Sequence, residues 1–245
     1  MAPSHTGSSG LRPARFAARL GWWSAVAMVL CTVAAFAIGI ATPPRSGTFC
    51  VQNCIAYPYT DAAPFFPRDY LWMYPGLLLT PLFLVLVACT QSIAEEGKQT
   101  ASRIGLCFAT IAAAIVTMDY LLQLEVIAPS LMKGETIGVA LFTQYNPHGI
   151  FIALEDLGYL MLSAAFLFTG VALSRTTRLE RVLRWILVGS SLLAFASYLG
   201  LAWIFGPHVD YRFEITVISI DWTVLVLAGG MLSVLFRRVM RKSFE

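Results

Sequence analysis

Residues 20–40 read LGWWSAVAMVLCTVAAFAIGI, 21 positions without a charged side chain. A helix rises about 1.5 Å per residue, so a run of this length covers a hydrocarbon core about 30 Å thick. Arg12, Arg15 and Arg19 stand just before it, and Trp22 and Trp23 lie at its start, where indole rings favour a membrane interface. The small residues Gly39 and Ala41 raise a rival reading, a signal peptide cleaved near Ala41. The apolar run is longer than the usual signal core of about 7–15 residues, and it is read as a retained helix.

Five further apolar runs follow, at about 71–94, 104–127, 150–173, 183–205 and 215–236. With 58% hydrophobic and 13% charged residues, the chain is far more apolar than a soluble domain, in which about 25% of residues are charged. The sequence predicts an all-α membrane protein, a bundle of six transmembrane helices over 20–236, with tails at 1–19 and 237–245. Pro75 and Pro81 predict a kink or free carbonyls in the second span. Ala109, Ala112, Ala113 and Ala114 in the third and Gly189, Ser190, Ser197 and Gly200 in the fifth suit close helix packing.

Lysine and arginine orient the bundle. Thirteen fall on one side: Arg12, Arg15, Arg19, Lys98, Arg103, Arg175, Arg178, Arg181, Arg184, Arg237, Arg238, Arg241 and Lys242. Only Arg45, Arg68, Lys133 and Arg212 fall on the other. This bias predicts both termini in the cytoplasm and, with the overall composition, residence in a bacterial plasma membrane. Glu95, Glu96, Glu180 and Glu245 share the basic side, whereas the other ten acidic residues lie towards the outside. The net charge of +3 sorts by side of the membrane and forms no nucleic-acid patch. The basic loop 174–184 and tail 237–242 are explained by orientation, and they also suit anionic lipid heads.

The first outer loop, about 41–70, carries Cys50 and Cys54 on the oxidising side, and a disulfide between them is expected. A redox pair is disfavoured, because the spacing is not Cys-x-x-Cys. Cys31, Cys89 and Cys107 lie in apolar spans as small core residues. The loop 128–149 has a short apolar middle at 137–142, which predicts an interfacial or re-entrant turn. Asn146 before Pro147 is a turn signal and a candidate cap for the fourth span.

Ionisable residues within spans are costly and normally face a cavity, a partner or a pathway. Asp119, Glu155, Asp156 and Asp221 are expected at similar depths in the outer halves of three spans. Gln123 follows Asp119 at i+4, and Tyr159 and Ser163 follow Glu155 at i+4 and i+8, so each face is a polar stripe. One function for these groups is structural, holding the bundle by hydrogen bonds. A second is binding or transport of a cation or small molecule, with Trp72, Tyr120, Tyr159 and Trp222 as cation–π faces and His148 in support. A third is a membrane enzyme acting on a lipid at the outer leaflet with His148 against the carboxyls. An accessory subunit or sensor completes the range.

Inventory weakens the enzyme. Of His5, His148 and His208, the first lies in a cytoplasmic tail and the others in turns, so neither a three-histidine metal site nor bis-histidine haem ligation fits. No nucleophile elbow, His-Glu-x-x-His or phosphate loop occurs, and the sequence leaves any cofactor unknown. Inverted repeats are disfavoured, since Met118-Asp119-Tyr120 and Ile220-Asp221-Trp222 put both aspartates in the same outer layer. The partners expected are the lipid bilayer and a cation or small-molecule ligand, with a homo-oligomer or partner membrane subunit left open.

Overall fold

The computed structural model describes residues 11–91, 94 and 97–242. Glu95, Glu96, Glu245 and His5, which entered the charge count and the histidine inventory, lie outside them. Among the described residues there are helices and no strands, and six helical segments are long and apolar enough to cross a membrane. The chain is a multi-pass membrane protein in architecture.

The helices are α1 (Leu11–Ala41), α2 (Met73–Thr90), α3 (Gln99–Leu122), α4 (Ala128–Lys133), α5 (Val139–Phe142), α6 (Ile150–Ala172), α7 (Arg178–Phe205) and α8 (Arg212–Lys242). Both terminal spans exceed their apolar runs, because α1 begins at Leu11 and α8 continues to Lys242. The third span is longer than expected too: a π-helical turn, Gln123–Ile127, joins α3 to α4 without a break. α4 then ends at Gly134, in the left-handed conformation (φ +73°) that glycine adopts without a Cβ clash.

The spans pack in chain order around a ring, in which α1 touches α2, α2 touches α3, α3 touches α6, α6 touches α7 and α7 touches α8. α1 closes the ring against α8, and α6 also meets α8 across the middle. α6 is the most enclosed span and α7 the least. The buried core forms two clusters: Phe83, Phe166, Leu86 and Leu187 belong to one, and Tyr70, Tyr120, Tyr145 and Phe151 to the other.

Small residues set the closest approaches, though not all of those expected. A Cβ on Gly158 of α6 would stand 2.5 Å from Val116 of α3, and one on Gly229 of α8 would stand 2.6 Å from Val29 of α1. Gly21 lies as tightly against the ring of Phe236, so α1 and α8 run antiparallel and pack hard in the first two thirds of α1. Ala109, Ala112 and Ala113 are buried as expected, whereas Ala114 is exposed. In α7 the packing positions are Ser191 and Ala194, and Gly189 and Gly200 have nothing within 4 Å of where a Cβ would be. The expectation for these two glycines fails because the helix turns that face away from α6 and α8.

The loops between α1 and α2, α5 and α6, and α7 and α8 meet at the opposite end, hereafter the loop end. Ser46 Oγ donates to the Tyr145 carbonyl at 2.5 Å and lies 2.7 Å from Tyr211 Oη, whose hydroxyl donates to the Gln144 carbonyl at 3.1 Å. Burial pushes the Tyr145 and Tyr211 hydroxyls well above the ordinary phenol range; neighbouring Tyr70 reinforces this for Tyr145 and Glu214 for Tyr211. Arg45 and Asp69, both nearly fully buried, form an ion pair at 3.0 Å, and the Arg45 guanidinium lies 4.0 Å from the Phe65 ring centroid. Cys50 and Cys54 are joined in a disulfide, with their Cα atoms 5.8 Å apart. Asn146 does not cap α6: Gly149 holds the cap position, while Asn146 donates to the Ala140 carbonyl and accepts from His148 N–H. The Asn-Pro pair thus stabilises its own turn, consistent with local side-chain bonding competing with a cap.

Candidate functional site

Glu155 is fully buried on α6, which faces α3 on one side and α8 on another. Tyr120 of α3 donates its hydroxyl to Glu155 Oε1 at 2.5 Å. The Tyr120 oxygen is also 2.9 Å from Tyr159 Oη, and Trp222 Nε1 of α8 donates to Tyr159 Oη at 2.8 Å. One hydrogen-bonded chain therefore ties three helices together. Asp119, on the residue before Tyr120, is buried and interacts electrostatically with Glu155. Asp156, half-buried on the residue after Glu155, interacts with it likewise.

A fourth carboxyl completes the cluster. Glu214, in the first turn of α8, lies against Glu155, where the two carboxyls can share a proton, and feels Asp156 and Asp119. Sequence reasoning set the start of the last span one residue beyond it, at 215. The signal was present nonetheless: Glu214 and Asp221 are seven residues apart, two helical turns on one face. Among the described residues, none of these four carboxyls makes an ion pair with lysine or arginine. Asp119 Oδ2, Glu155 Oε2, Asp156 Oδ1 and Glu214 Oε2 are buried oxygens without a hydrogen bond by strict geometry. Acceptors of this kind favour a proton or a cation, since a buried polar atom left unmatched is costly.

Asp221 sits in a deeper layer than expected. Its Oδ1 accepts from Ser163 Oγ at 2.8 Å, and Ser163 lies two turns along α6 from Glu155. Because α8 starts at Arg212, above its apolar run, Glu214 and not Asp221 reaches the level of Glu155. The polar chain continues one step further, where Ser191 of α7 donates to the Ser163 carbonyl.

Gln123 and His148 are turned elsewhere. The π-helical turn presents Gln123 to the loop, where its Nε2 donates to the Phe142 carbonyl at 2.5 Å and its Oε1 accepts from Gln144 N–H at 3.0 Å. It pins the short α5 loop at the end of the bundle. His148 is largely exposed and pairs with Asp210 at 3.3 Å, beside Arg212 at 3.6 Å from the same aspartate.

A cavity of about 390 Å³ opens beside the cluster, between the loop-end halves of α1 and α8 and under the first loop. Glu214 and Trp222 line it from α8, Phe36 and Gly39 from α1, and Asp69 and Trp72 from the start of the second span. Of the aromatic groups anticipated from sequence, Trp72 and Trp222 line the cavity and Tyr120 and Tyr159 stand behind them: Trp72 packs edge-on to Tyr120 at 5.2 Å and lies 6.3 Å from Trp222, which is 6.5 Å from Tyr159. Phe36 packs edge-on to Trp222 at 5.6 Å. Glu214 is thus the one member of the four-carboxyl cluster that also forms cavity wall.

No family model, curated protein or solved structure matches this chain. The chemistry of the site must be argued from its own atoms. Among the described residues, no three His, Cys, Asp or Glu side chains are placed to hold a metal ion. The arrangement suits proton sharing between carboxyls and binding of a cation against a carboxyl and aromatic faces.

Proposed function

We propose that this protein binds a small cation from its loop end, as a receptor or as the binding step of transport, with Glu214, Glu155, Asp119 and Asp156 as the acidic site. Tyr159 belongs to the site through its bonds to Tyr120 and Trp222, and Asp221 serves as a deeper carboxyl behind it. The observation that carries this reading is the double position of Glu214, against Glu155 and on the cavity wall. The loop end is taken as the external face, because the basic residues collect at the other. Gln123 and His148 act at one remove, by holding the loops that roof the site.

The lipid-enzyme alternative required His148 against Glu155, and the pairing of His148 with Asp210 gives it no support. A scaffold without ligand remains the competing outcome of the test. Purified protein is heated in the presence of alkali, divalent and methylammonium ions, and its unfolding midpoint is compared with those of Glu214→Gln, Glu155→Gln and Asp119→Asn. A cation that stabilises the wild type and loses its effect in Glu214→Gln and Glu155→Gln supports binding, because a ligand specific to the native state raises stability by mass action. Equal midpoints with every ion would assign the carboxyls to the scaffold.

A further inference from the structure

Arg45 brings a guanidinium to the cavity wall from the first loop, and among the described lining residues it alone is basic. It is 8% exposed and is held on two sides. Asp69 Oδ2 accepts from Nε at 3.0 Å, and the Phe65 ring covers one face of the group. Its backbone is pinned as well: Ile55 N–H donates to the Arg45 carbonyl at 2.6 Å, and the next residue, Ser46, donates to the Tyr145 carbonyl. Asp69 engages the Nε side alone, since its other oxygen, Oδ1, has no donor.

The far end of the guanidinium is left open. Among the described residues, neither Nη1 nor Nη2 of Arg45 has a hydrogen-bond partner, and neither is sealed from solvent as Asp69 Oδ1 is. The small surface that Arg45 keeps therefore includes these two nitrogens, and the cavity is the open space that the residue lines. A guanidinium carries five N–H donors in a rigid plane, four of them on the Nη pair. A cation so deeply buried needs acceptors for its donors, and two parallel N–H bonds match the two oxygens of a carboxylate.

Charge and size narrow the choice of acceptor. Asp69 balances Arg45, and exposed Arg68 adds a positive charge at the rim, where its Nη2 donates at 3.5 Å to the carbonyl of Ala41, next to cavity-lining Thr42. Two arginines against one aspartate suit a single negative charge better than the two of a phosphate monoester. The remaining wall is rich in apolar groups, among them Phe36, Phe49, Trp72, Ile218 and Trp222. Its volume of about 390 Å³ falls among those of small-molecule pockets.

We infer that this cavity takes a small monocarboxylate with an apolar body, whose carboxylate bridges Nη1 and Nη2 of Arg45. Asp69 and Phe65 are positioning residues that hold the guanidinium for it. The inference rests on Arg45 and not on the acidic cluster, so it goes beyond the cation reading and stands or falls separately. With both in force, the ligand is a zwitterion.

The experiment measures binding of phenylacetate, its neutral isostere phenylacetamide, and phenethylammonium to the full chain in nanodiscs of phosphatidylcholine. Equilibrium dialysis gives the affinities, and empty nanodiscs supply the partitioning background. Hydrogen bonds to a charged group make phenylacetate bind roughly 10- to 150-fold more tightly than phenylacetamide. In Arg45→Gln that preference falls to near parity. It does so too in Arg45→Gln combined with Asp69→Asn, which leaves no unpaired carboxylate in the loop. The comparison of the two isosteres in wild type needs no substitution, and equal binding of them, or binding of neither above the empty discs, overturns the inference whatever the variants do. A preference that persists in the paired variant moves the carboxylate away from Arg45 and overturns it as well. Phenethylammonium reads the acidic site: loss of its binding in Glu214→Gln supports the cation reading. If it fails to bind wild type while phenylacetate is still preferred, the cation reading goes and this inference stays.

Discussion

The hydroxyl of Tyr120 donates to Glu155 Oε1 across 2.5 Å, joining α3 to α6 at the centre of the acidic cluster. Because both groups are buried, removing the donor leaves a carboxyl oxygen unmatched, at a cost of about 1–3 kcal/mol. Tyr120→Phe is therefore expected to lower stability by that amount, read from denaturant or thermal unfolding. An unchanged midpoint would mean that Glu155 draws its proton or bond from Glu214 instead.

Ser163 and Asp221 form a buried pair between α6 and α8. Ser163→Ala is expected to destabilise by about 1–3 kcal/mol, since it strips Asp221 Oδ1 of its donor while Oδ2 already has none. The double variant Ser163→Ala with Asp221→Leu should lose less than the sum of the two single changes, because no orphaned carboxyl remains. Strict additivity in the cycle would count against a direct bond.

Two glycines on neighbouring spans should behave in opposite ways. Gly158→Val forces a side chain into Val116 and is expected to cost about 1–3 kcal/mol. Gly189→Ala meets no atom within 4 Å and should be neutral or stabilising by up to about 1 kcal/mol, through helix propensity. Comparing the unfolding midpoints of the two variants checks the helix faces directly.

The Cys50–Cys54 disulfide spans four positions in sequence, so its effect on the unfolded chain is that of a small loop. A double replacement by serine is expected to lower stability by about 2 kcal/mol on the chain-entropy account. Addition of a reductant should then shift the midpoint of the wild type and leave the serine variant in place.

Alkaline pH supplies a further check at the loop end. The Tyr145 and Tyr211 hydroxyls have folded pKa values raised by burial, against an unfolded value of about 10. The unfolded chain therefore releases these protons first, and stability present below pH 10 is lost progressively above it. Tyr211→Phe is expected to flatten that decline in unfolding scans between about pH 9 and 11. A slope equal to that of the wild type would place the alkaline loss in other groups.

How far these features were legible differs by kind. Six apolar runs were plain because span length is a one-dimensional property, and the aromatic set of Trp72, Tyr120, Tyr159 and Trp222 followed from where the polar stripes lay. Asp221 lies deeper than its place in the apolar run predicts, because α8 is helical to Arg212 regardless of hydropathy. Glu214 was missed for the same reason. The Arg45–Asp69 pair and the turn of Gln123 towards Phe142 had no periodic signal at all: one joins two points of a loop 24 residues apart, and the other depends on a π-helical turn. The fate of Gly189 and Gly200 could not be read from size, since small residues mark a packing face only when the helix turns that face inward.

The ring closes where the first span meets the last, and this has a bearing on how the protein is made. Glu214, Asp221 and Trp222 all ride on α8, which is synthesised after the other five spans described, and α8 forms one side of the cavity. The other five spans hold both partners of the Tyr120–Glu155 bond but neither the α8 wall of the cavity nor the fourth carboxyl. The pocket is thus complete only when α8 joins the other five spans, and a stop upstream of α8 leaves Glu155 without Glu214 and the cavity without one of its walls.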